Sequence, residues 1–113
     1  MHTLVGELQG QWTVTALGTA MPMNLLHDRK LICGRTGHNR INGHDWGWFR
    51  VEGDGPELTL NYDDRRNAVC LREVRDTIKR DGDGWIGTLR LDGTCMFAFR
   101  LSNNAVTESE PHP

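Results

Sequence analysis

The residues that could do chemistry are most concentrated in the stretch Gly43–Arg50, which reads Gly-His-Asp-Trp-Gly-Trp-Phe-Arg. Alternate side chains of a β-strand share a face, so four of them would lie together: those of His44, Trp46, Trp48 and Arg50. An aromatic wall with a few orienting polar groups is typical of a small-molecule pocket. On this interpretation Arg50 holds a carboxylate, and His44 acts as an acid or base near neutral pH.

The same strand has a second interpretation. If Phe49 and Val51 face inward, the tryptophans cover the outside of the domain or a dimer interface. The pattern does not decide between the two faces. Gly47, between the two indoles, would allow a backbone or a ligand to approach closely.

A second charged group covers residues 72–76 and includes Arg75 and Asp76. On the exterior these residues would form ordinary cross-strand ion pairs, which is the arrangement preferred here. In the interior, a buried Arg–Asp pair would mark a site, so Asp76 is a second candidate acid or base. Tyr62 ends an alternating strand; its hydroxyl could donate to a ligand carbonyl, or it could simply be a half-buried strand end.

Other kinds of site have less support. The spacing of His27, His38 and His44 fits no compact metal motif, so no metal and no other cofactor is predicted. Cys33 is expected to be a buried, inert thiol. The sequence has no glycine-rich phosphate loop between a strand and a helix. Basic and acidic residues are interleaved, which argues against a nucleic-acid partner.

Composition limits the function classes further. The 113 residues fit one domain, and a net charge of −2 gives no general attraction to nucleic acid or to an anionic membrane. The three cysteines are far apart, and the N-terminus lacks a basic region followed by an apolar run. We therefore expect a cytoplasmic protein with reduced thiols and no membrane partner.

Short alternating runs separated by turn residues predict the elements that position these side chains. One or two helical turns over residues 3–9 precede seven predicted strands, at residues 11–17, 28–36, 44–52, 57–62, 68–80, 85–91 and 94–101. The long run 68–80 should bend near residues 72–76. Turns are expected at residues 37–43, 53–56, 63–67, 81–84 and 92–93.

Seven or eight short strands without a long helix indicate an all-β domain, and we favour a small antiparallel up-and-down barrel over a sandwich because closure removes exposed edges. The barrel domain would comprise residues 1–101, with residues 102–113 as a disordered tail. The loop that contains Met21 and Met23 would either form a flap over an open barrel end or tuck both side chains into the core.

Gly10-Gln11-Trp12 opens the first strand after a short helical turn, and Arg100 stands on the last strand. In these features the chain resembles the lipocalin-like (calycin) barrels. Residues 74–87, an Arg-Asp strand, a glycine turn and an aliphatic-glycine strand, also resemble small bacterial lipocalin-like domains. The resemblance implies that Trp12 closes one barrel end, with Arg100 packed across its ring in a cation–π contact. Any chemistry would then lie at the other end.

The leading hypothesis is a barrel that binds a small, largely apolar molecule, with or without a carboxylate or carbonyl. Six residues would contact it: Trp46, Trp48, Arg50, Tyr62, Phe97 and Phe99. An alternative is a cofactor-free isomerase, cyclase or lyase that uses His44 or Asp76 as acid or base. A third is a packed interaction module that forms a homodimer through exposed tryptophans.

Overall fold

Eight antiparallel strands follow one another around a closed barrel. The computed structural model of the chain describes residues 4–17 and 28–103. Pairing of β1 with both β2 and β8 closes the barrel. The elements are α1 (Leu4–Glu7), β1 (Gly10–Leu17), β2 (Arg29–Cys33), β3 (Thr36–Ile41), β4 (His44–Glu52), β5 (Glu57–Asn61), β6 (Val74–Asp81), β7 (Gly84–Leu91) and β8 (Thr94–Asn103). The predicted all-β up-and-down barrel with an N-terminal helical turn is confirmed.

The strand count is eight because the run predicted as one strand at residues 28–36 is divided. Gly34, with φ of +66°, and Arg35 form the turn between β2 and β3. Most of the turn predicted at residues 37–43 is therefore strand β3, and the actual turn is Asn42-Gly43, where both residues have positive φ. Glycine and asparagine are poor strand formers, but pairing on both sides of β3 outweighs that preference.

The long strand predicted at residues 68–80 is wrong in its first half. Residues Val69–Glu73 form a 3₁₀ helix, and β6 begins only at Val74. The turns predicted at Asp81–Gly84 and Asp92-Gly93 are confirmed. No helix within residues 4–17 and 28–103 is long and apolar enough to cross a membrane.

Alternate connections of an up-and-down barrel lie at the same end. The helix α1 and the β2–β3, β4–β5 and β6–β7 turns therefore share one end, called the helix end here. Val5 and Leu8 are buried there with Trp12, whose Nε1 donates to the Leu8 carbonyl at 2.7 Å. Gln9 fastens this segment to the β2–β3 turn, because its amide accepts from the Gly34 N–H and donates to the Gly34 carbonyl.

The predicted contact of Arg100 with Trp12 is wrong. Phe99 and Leu101 are buried, so the alternation of β8 places Arg100 on the outer face. There its guanidinium donates to Asp81 Oδ2 at 2.5 Å.

A different arginine stacks on an indole at the helix end. The Arg80 guanidinium lies 5.1 Å from the ring centre of Trp85, and it also forms an ion pair with Glu7 of α1 at 3.2 Å. Trp85 is fully buried. A cation–π contact does help to close this end, with partners that the resemblance did not identify.

The expectation that Cys33 is buried is also wrong. All three cysteines are exposed and free. On β2 the inward positions belong to Lys30 and Ile32, so Cys33 points outward.

Glycines on β3 and β7 leave room for phenylalanine rings inside the barrel. A Cβ at Gly87 would lie 2.5 Å from Phe99 Cζ and 2.8 Å from Ile78 Cγ2. Both neighbours are almost fully buried and cannot move into solvent. A methyl group at this position would therefore overpack the core.

We expect Gly87→Ala to lower the free energy of unfolding by about 1–3 kcal/mol, measured by urea denaturation. Gly55→Ala is the matched control, because a Cβ there meets nothing within 4 Å and the residue does not occupy the left-handed region. The control should change stability by less than about 0.5 kcal/mol. Equal effects of the two substitutions would contradict the overpacking.

Candidate functional site

A lysine is buried inside the barrel. Lys30 on β2 is 5% exposed, and its Nζ has three polar neighbours. It donates to Asn39 Oδ1 at 2.7 Å and to the Tyr62 hydroxyl at 2.7 Å, and it lies 3.4 Å from Asp76 Oδ2. These neighbours match the three N–H donors of an ammonium group, and Asp76 supplies the opposite charge.

Strand register brings these residues together. Asn39 on β3 pairs directly with Lys30 on β2. Asp76 on β6 pairs with Leu60 on β5, and Tyr62, two positions after Leu60, shares its inward direction. The Tyr62 hydroxyl donates to Asp76 Oδ2 at 2.8 Å. The four polar side chains, called the Lys30 network here, therefore come from four separate segments of the barrel wall.

A bulge in β4 makes room for Asn39. The register between β3 and β4 shifts so that two residues, Gly47 and Trp48, oppose the single residue His38. Gly47 has φ of +62°, and its carbonyl accepts from Asn39 Nδ2 at 3.0 Å. A Cβ at Gly47 would lie 2.6 Å from that nitrogen. The predicted close approach at Gly47 is thus made by the Asn39 side chain.

Asn67 fixes the segment that carries Tyr62. Its Oδ1 accepts from the Trp48 N–H at 2.9 Å, and its Nδ2 donates to the carbonyls of Trp48 and Tyr62 at 2.8 and 2.7 Å. Pairing of β4 with β5 extends only to the Arg50–Asn61 pair. The buried amide of Asn67 therefore replaces strand pairing beyond that point and holds Tyr62 beside Lys30.

Aromatic rings surround the buried ammonium. Lys30 Nζ lies 5.4 to 5.6 Å from the ring centres of Tyr62, Phe49 and Phe99. A cation at this distance is attracted to the ring electrons, and the effect is largest where water is excluded.

A second carboxyl group, Asp28, is buried near this network. It is 2% exposed, compared with 1% for Asp76. Burial raises the pKa of both carboxyls, and the positive charge of Lys30 opposes the rise in each case. The described interior thus holds two carboxyls beside one ammonium.

Tyr62 stays protonated in this environment. Burial, reinforced by the charge of Asp76, raises the pKa of Tyr62 well above its usual value. Its hydroxyl therefore remains able to donate to Asp76 while it accepts from Lys30.

A small cavity of about 40 Å³ lies beside the network, toward the barrel end opposite α1. The volume accommodates a polar head group of a few atoms. Five buried side-chain polar atoms have no hydrogen-bond partner within residues 4–17 and 28–103: Asp28 Oδ1, His38 Nε2, Trp46 Nε1, Asp76 Oδ1 and Trp85 Nε1. Two of them, Asp28 Oδ1 and Trp46 Nε1, belong to residues that line the cavity, and Asp76 Oδ1 belongs to the Lys30 network. The residues that line the cavity are Val14, Asp28, Lys30, Asn39, Trp46, Tyr62, Leu71, Val74, Leu89, Phe97 and Phe99.

The structure brings together five of the residues predicted from the sequence. Four of them line the cavity, and the fifth, Asp76, belongs to the Lys30 network. The four are Trp46, Tyr62, Phe97 and Phe99. The preferred exterior position of Asp76 is wrong, and its buried ionic partner is Lys30 instead of an arginine.

Three other predicted residues lie elsewhere. His44 and Arg50 are exposed, and Arg50 pairs with Glu52 at 3.3 Å. Trp48 is on the outer surface beneath Arg66, whose guanidinium is 5.1 Å from the ring centre. The four side chains predicted to share one face of β4 do not do so. The bulge in β4 reverses the alternation of side chains after Trp46, so Trp48 and Arg50 point outward.

In the second half of β4 the other interpretation is correct: Phe49 and Val51 face the interior. Met21, Met23 and His27 lie outside the described residues, as does the tail predicted at residues 102–113 from residue 104 onward. Among residues 4–17 and 28–103 there is no group of three or more metal-ligating side chains that could hold an ion.

The sequence interpretation missed Asp28, Lys30, Asn39 and Asn67. A signal for two of them exists, because Lys30 and Ile32 on β2 and Asp28 just before it are spaced by two and point the same way. An inward Ile32 therefore carries Lys30 and Asp28 inward as well. Asn39 and Asn67 gave no comparable signal, since their roles depend on the bulge and on a loop contact.

Comparison of the chain with protein-family models, with curated proteins and with solved structures finds no match. The geometry of the site itself therefore carries the functional inference.

Lys30→Met should lower the free energy of unfolding by about 3–5 kcal/mol, because it leaves Asp76 buried without its ionic partner. Urea denaturation measures the loss. Adding Asp76→Leu to Lys30→Met should restore part of it, since the unpaired charge is then gone.

Arg40→Met is the control for Lys30→Met. Arg40 and Asp45 form a 2.7 Å ion pair on the surface, where solvent screens the interaction. This substitution should change stability little. If Arg40→Met lowers the free energy of unfolding as much as Lys30→Met does, burial is not the reason that the Lys30–Asp76 pair stabilises the fold.

Proposed function

We propose that this protein binds a small, largely apolar molecule in the cavity of its barrel, as a lipocalin-like binding protein. The observation that carries the proposal is a mostly aromatic and aliphatic cavity whose wall includes two buried polar atoms, Asp28 Oδ1 and Trp46 Nε1, that have no hydrogen-bond partner among the described residues. Such atoms cost free energy when buried, and a guest that bonds to them recovers it. Few polar groups in an apolar wall are the usual composition of a ligand site.

The position of the cavity supports the same function. Asp28 immediately precedes β2, Trp46 is near the start of β4, and Phe97 is near the start of β8. All three strand ends lie opposite α1, where the helix segment does not close the barrel. Leu71, Leu89 and Phe97 are half-buried at this end and offer apolar contact to a guest whose head group enters the cavity.

Size limits the part of the guest that is enclosed. About 40 Å³ accommodates a head group, so the apolar remainder would lie against the half-buried residues at the rim. The Lys30 network forms the rigid polar side of the site. Membership in the calycin barrels, a cytoplasmic location and a homodimer remain part of the proposal; the closed eight-strand barrel with its N-terminal helix supports the first of these.

Leu71→Trp should block binding by filling the cavity. Leu71 lies on the 3₁₀ helix and lines the cavity, whereas Val69, on the same helix, is 73% exposed. Hexanol, hexylamine and hexanoate serve as guests, and the ¹H–¹⁵N NMR signal of the Trp46 indole reports on the cavity. In the wild type at least one guest should produce a saturable shift, weakened about tenfold or more by Leu71→Trp.

Val69→Trp is the matched control and should bind as the wild type does. If no guest produces a saturable shift in the wild-type protein, the proposed function is wrong. If Val69→Trp weakens binding as much as Leu71→Trp, the guest does not occupy the cavity.

A second function is supported by the two buried carboxyls with raised pKa. We propose as the alternative a cofactor-free isomerase, cyclase or lyase in which Asp76 is the acid or base; His44, the other candidate, is exposed. The Asp76 carboxyl already shares a hydrogen bond with the Tyr62 hydroxyl, which could orient it.

This alternative predicts that the protein accelerates exchange of solvent deuterium into the carbon next to the carbonyl of a small ketone such as 2-hexanone. Asp76→Asn should remove the acceleration, with folding checked by NMR. An exchange rate in the wild type equal to that in buffer would exclude proton abstraction from this class of substrate.

A further inference from the structure

We infer that the guest of this cavity carries a protonated amine, and that Asp28 is its counter-ion. The inference rests on the proposed binding function and names the chemical class of the ligand. Three features support it: the charge balance of the described interior, the carboxylate oxygen of Asp28 that no described residue contacts by a hydrogen bond, and the aromatic wall.

Among the described buried residues, two carboxyls face a single ammonium, so one negative charge is in excess. Lys30 Nζ is 3.4 Å from Asp76 Oδ2, and its other contacts go to the neutral groups of Asn39 and Tyr62. Lys30 and Asp76 thus neutralise each other. Asp28 is then the excess negative charge among the buried residues that the structure describes.

The Asp28 carboxyl is available to a guest. The side chain lines the cavity, the residue is 2% exposed, and Oδ1 accepts no hydrogen bond from the described residues. A buried ionised carboxylate needs both an opposite charge and a donor. An ammonium head group supplies both, whereas a hydroxyl supplies only a donor, and a carboxylate guest would place a second negative charge beside the first.

The aromatic wall suits the same head group. Trp46, Phe97 and Phe99 line the cavity beside Asp28. The barrel already holds one alkylammonium in aromatic surroundings, since Lys30 Nζ lies 5.4 to 5.6 Å from three ring centres. A second ammonium paired with Asp28 would gain the same attraction.

Binding should depend on pH in a direction that Asp28 sets. The ionisable groups around the cavity are Asp28, Lys30, Tyr62 and Asp76; the other side chains of the described wall do not titrate. Burial raises the pKa of Asp28. Below that pKa the carboxyl is neutral and attracts an ammonium weakly, so affinity for an amine should increase as the pH rises through it. The affinity should fall again only where the amine loses its proton, near pH ~10.

The test compares three guests with the same chain length: hexylamine, hexanol and hexanoate. Titration at about pH 7, followed through the Trp46 indole signal, should give hexylamine about tenfold tighter binding than hexanol, with hexanoate the weakest. Tighter binding of hexanol or hexanoate would overturn the inference and leave the proposed binding function intact. Binding of none of the three would overturn both.

Asp28→Asn removes the charge and keeps the shape. The substitution should weaken the binding of hexylamine about tenfold and leave the affinity for hexanol unchanged. Asp83→Asn is the matched control, because Asp83 is exposed in the β6–β7 turn, and it should retain the preference for the amine. A preference that survives Asp28→Asn would refute the role of Asp28.

If Asp28→Asn does not fold, the inference is tested by the pH dependence of hexylamine binding to the wild-type protein. Hexylamine should bind more tightly at about pH 7 than at about pH 4, while hexanol should change little. Equal amine affinity at both values would overturn the inference.

Discussion

The interior of this barrel contains a lysine ammonium, and much of the surrounding structure serves to keep it there. Lys30 is only 5% exposed, so its charge needs an opposite charge and its donors need acceptors within the protein. Asp76 supplies the first, and Asn39 and Tyr62 supply the second. Because these groups come from four separate segments, Lys30 ties the register of one half of the barrel to that of the other.

Two departures from regular strand pairing make this arrangement possible. The bulge at Gly47 turns the Trp46 and Phe49 side chains toward the interior and gives Asn39 a carbonyl to donate to. Asn67 replaces strand pairing where β4 and β5 separate, and so places Tyr62. Both are best understood as positioning devices for the polar residues at the centre of the barrel.

The barrel was predictable from the sequence because strand alternation and turn chemistry are local properties. The polar network was not, since a charged side chain is normally assigned to the surface and Lys30 breaks that rule. An inserted residue reverses every later side chain in a strand, which is why Trp48 and Arg50 were misplaced while Trp46 was not. The cation–π contact at the helix end was assigned to the wrong arginine. Arg80 and Arg100 both lie near that end, and the sequence pattern does not show which of them contacts a tryptophan ring.

The two barrel ends have different chemistry, and this difference favours a ligand site over a packed structural barrel. At the helix end, Leu8, Trp12 and Leu101 are buried in apolar packing. The buried Trp85 Nε1 at this end has no hydrogen-bond partner within residues 4–17 and 28–103, but it does not line the cavity toward the opposite end. Toward the opposite end, Lys30 is fully bonded, whereas Asp28 Oδ1 and Trp46 Nε1 border an apolar cavity without partners among the described residues. Packing alone would favour apolar residues at both positions. Their presence beside a cavity is what a bound polar head group would explain.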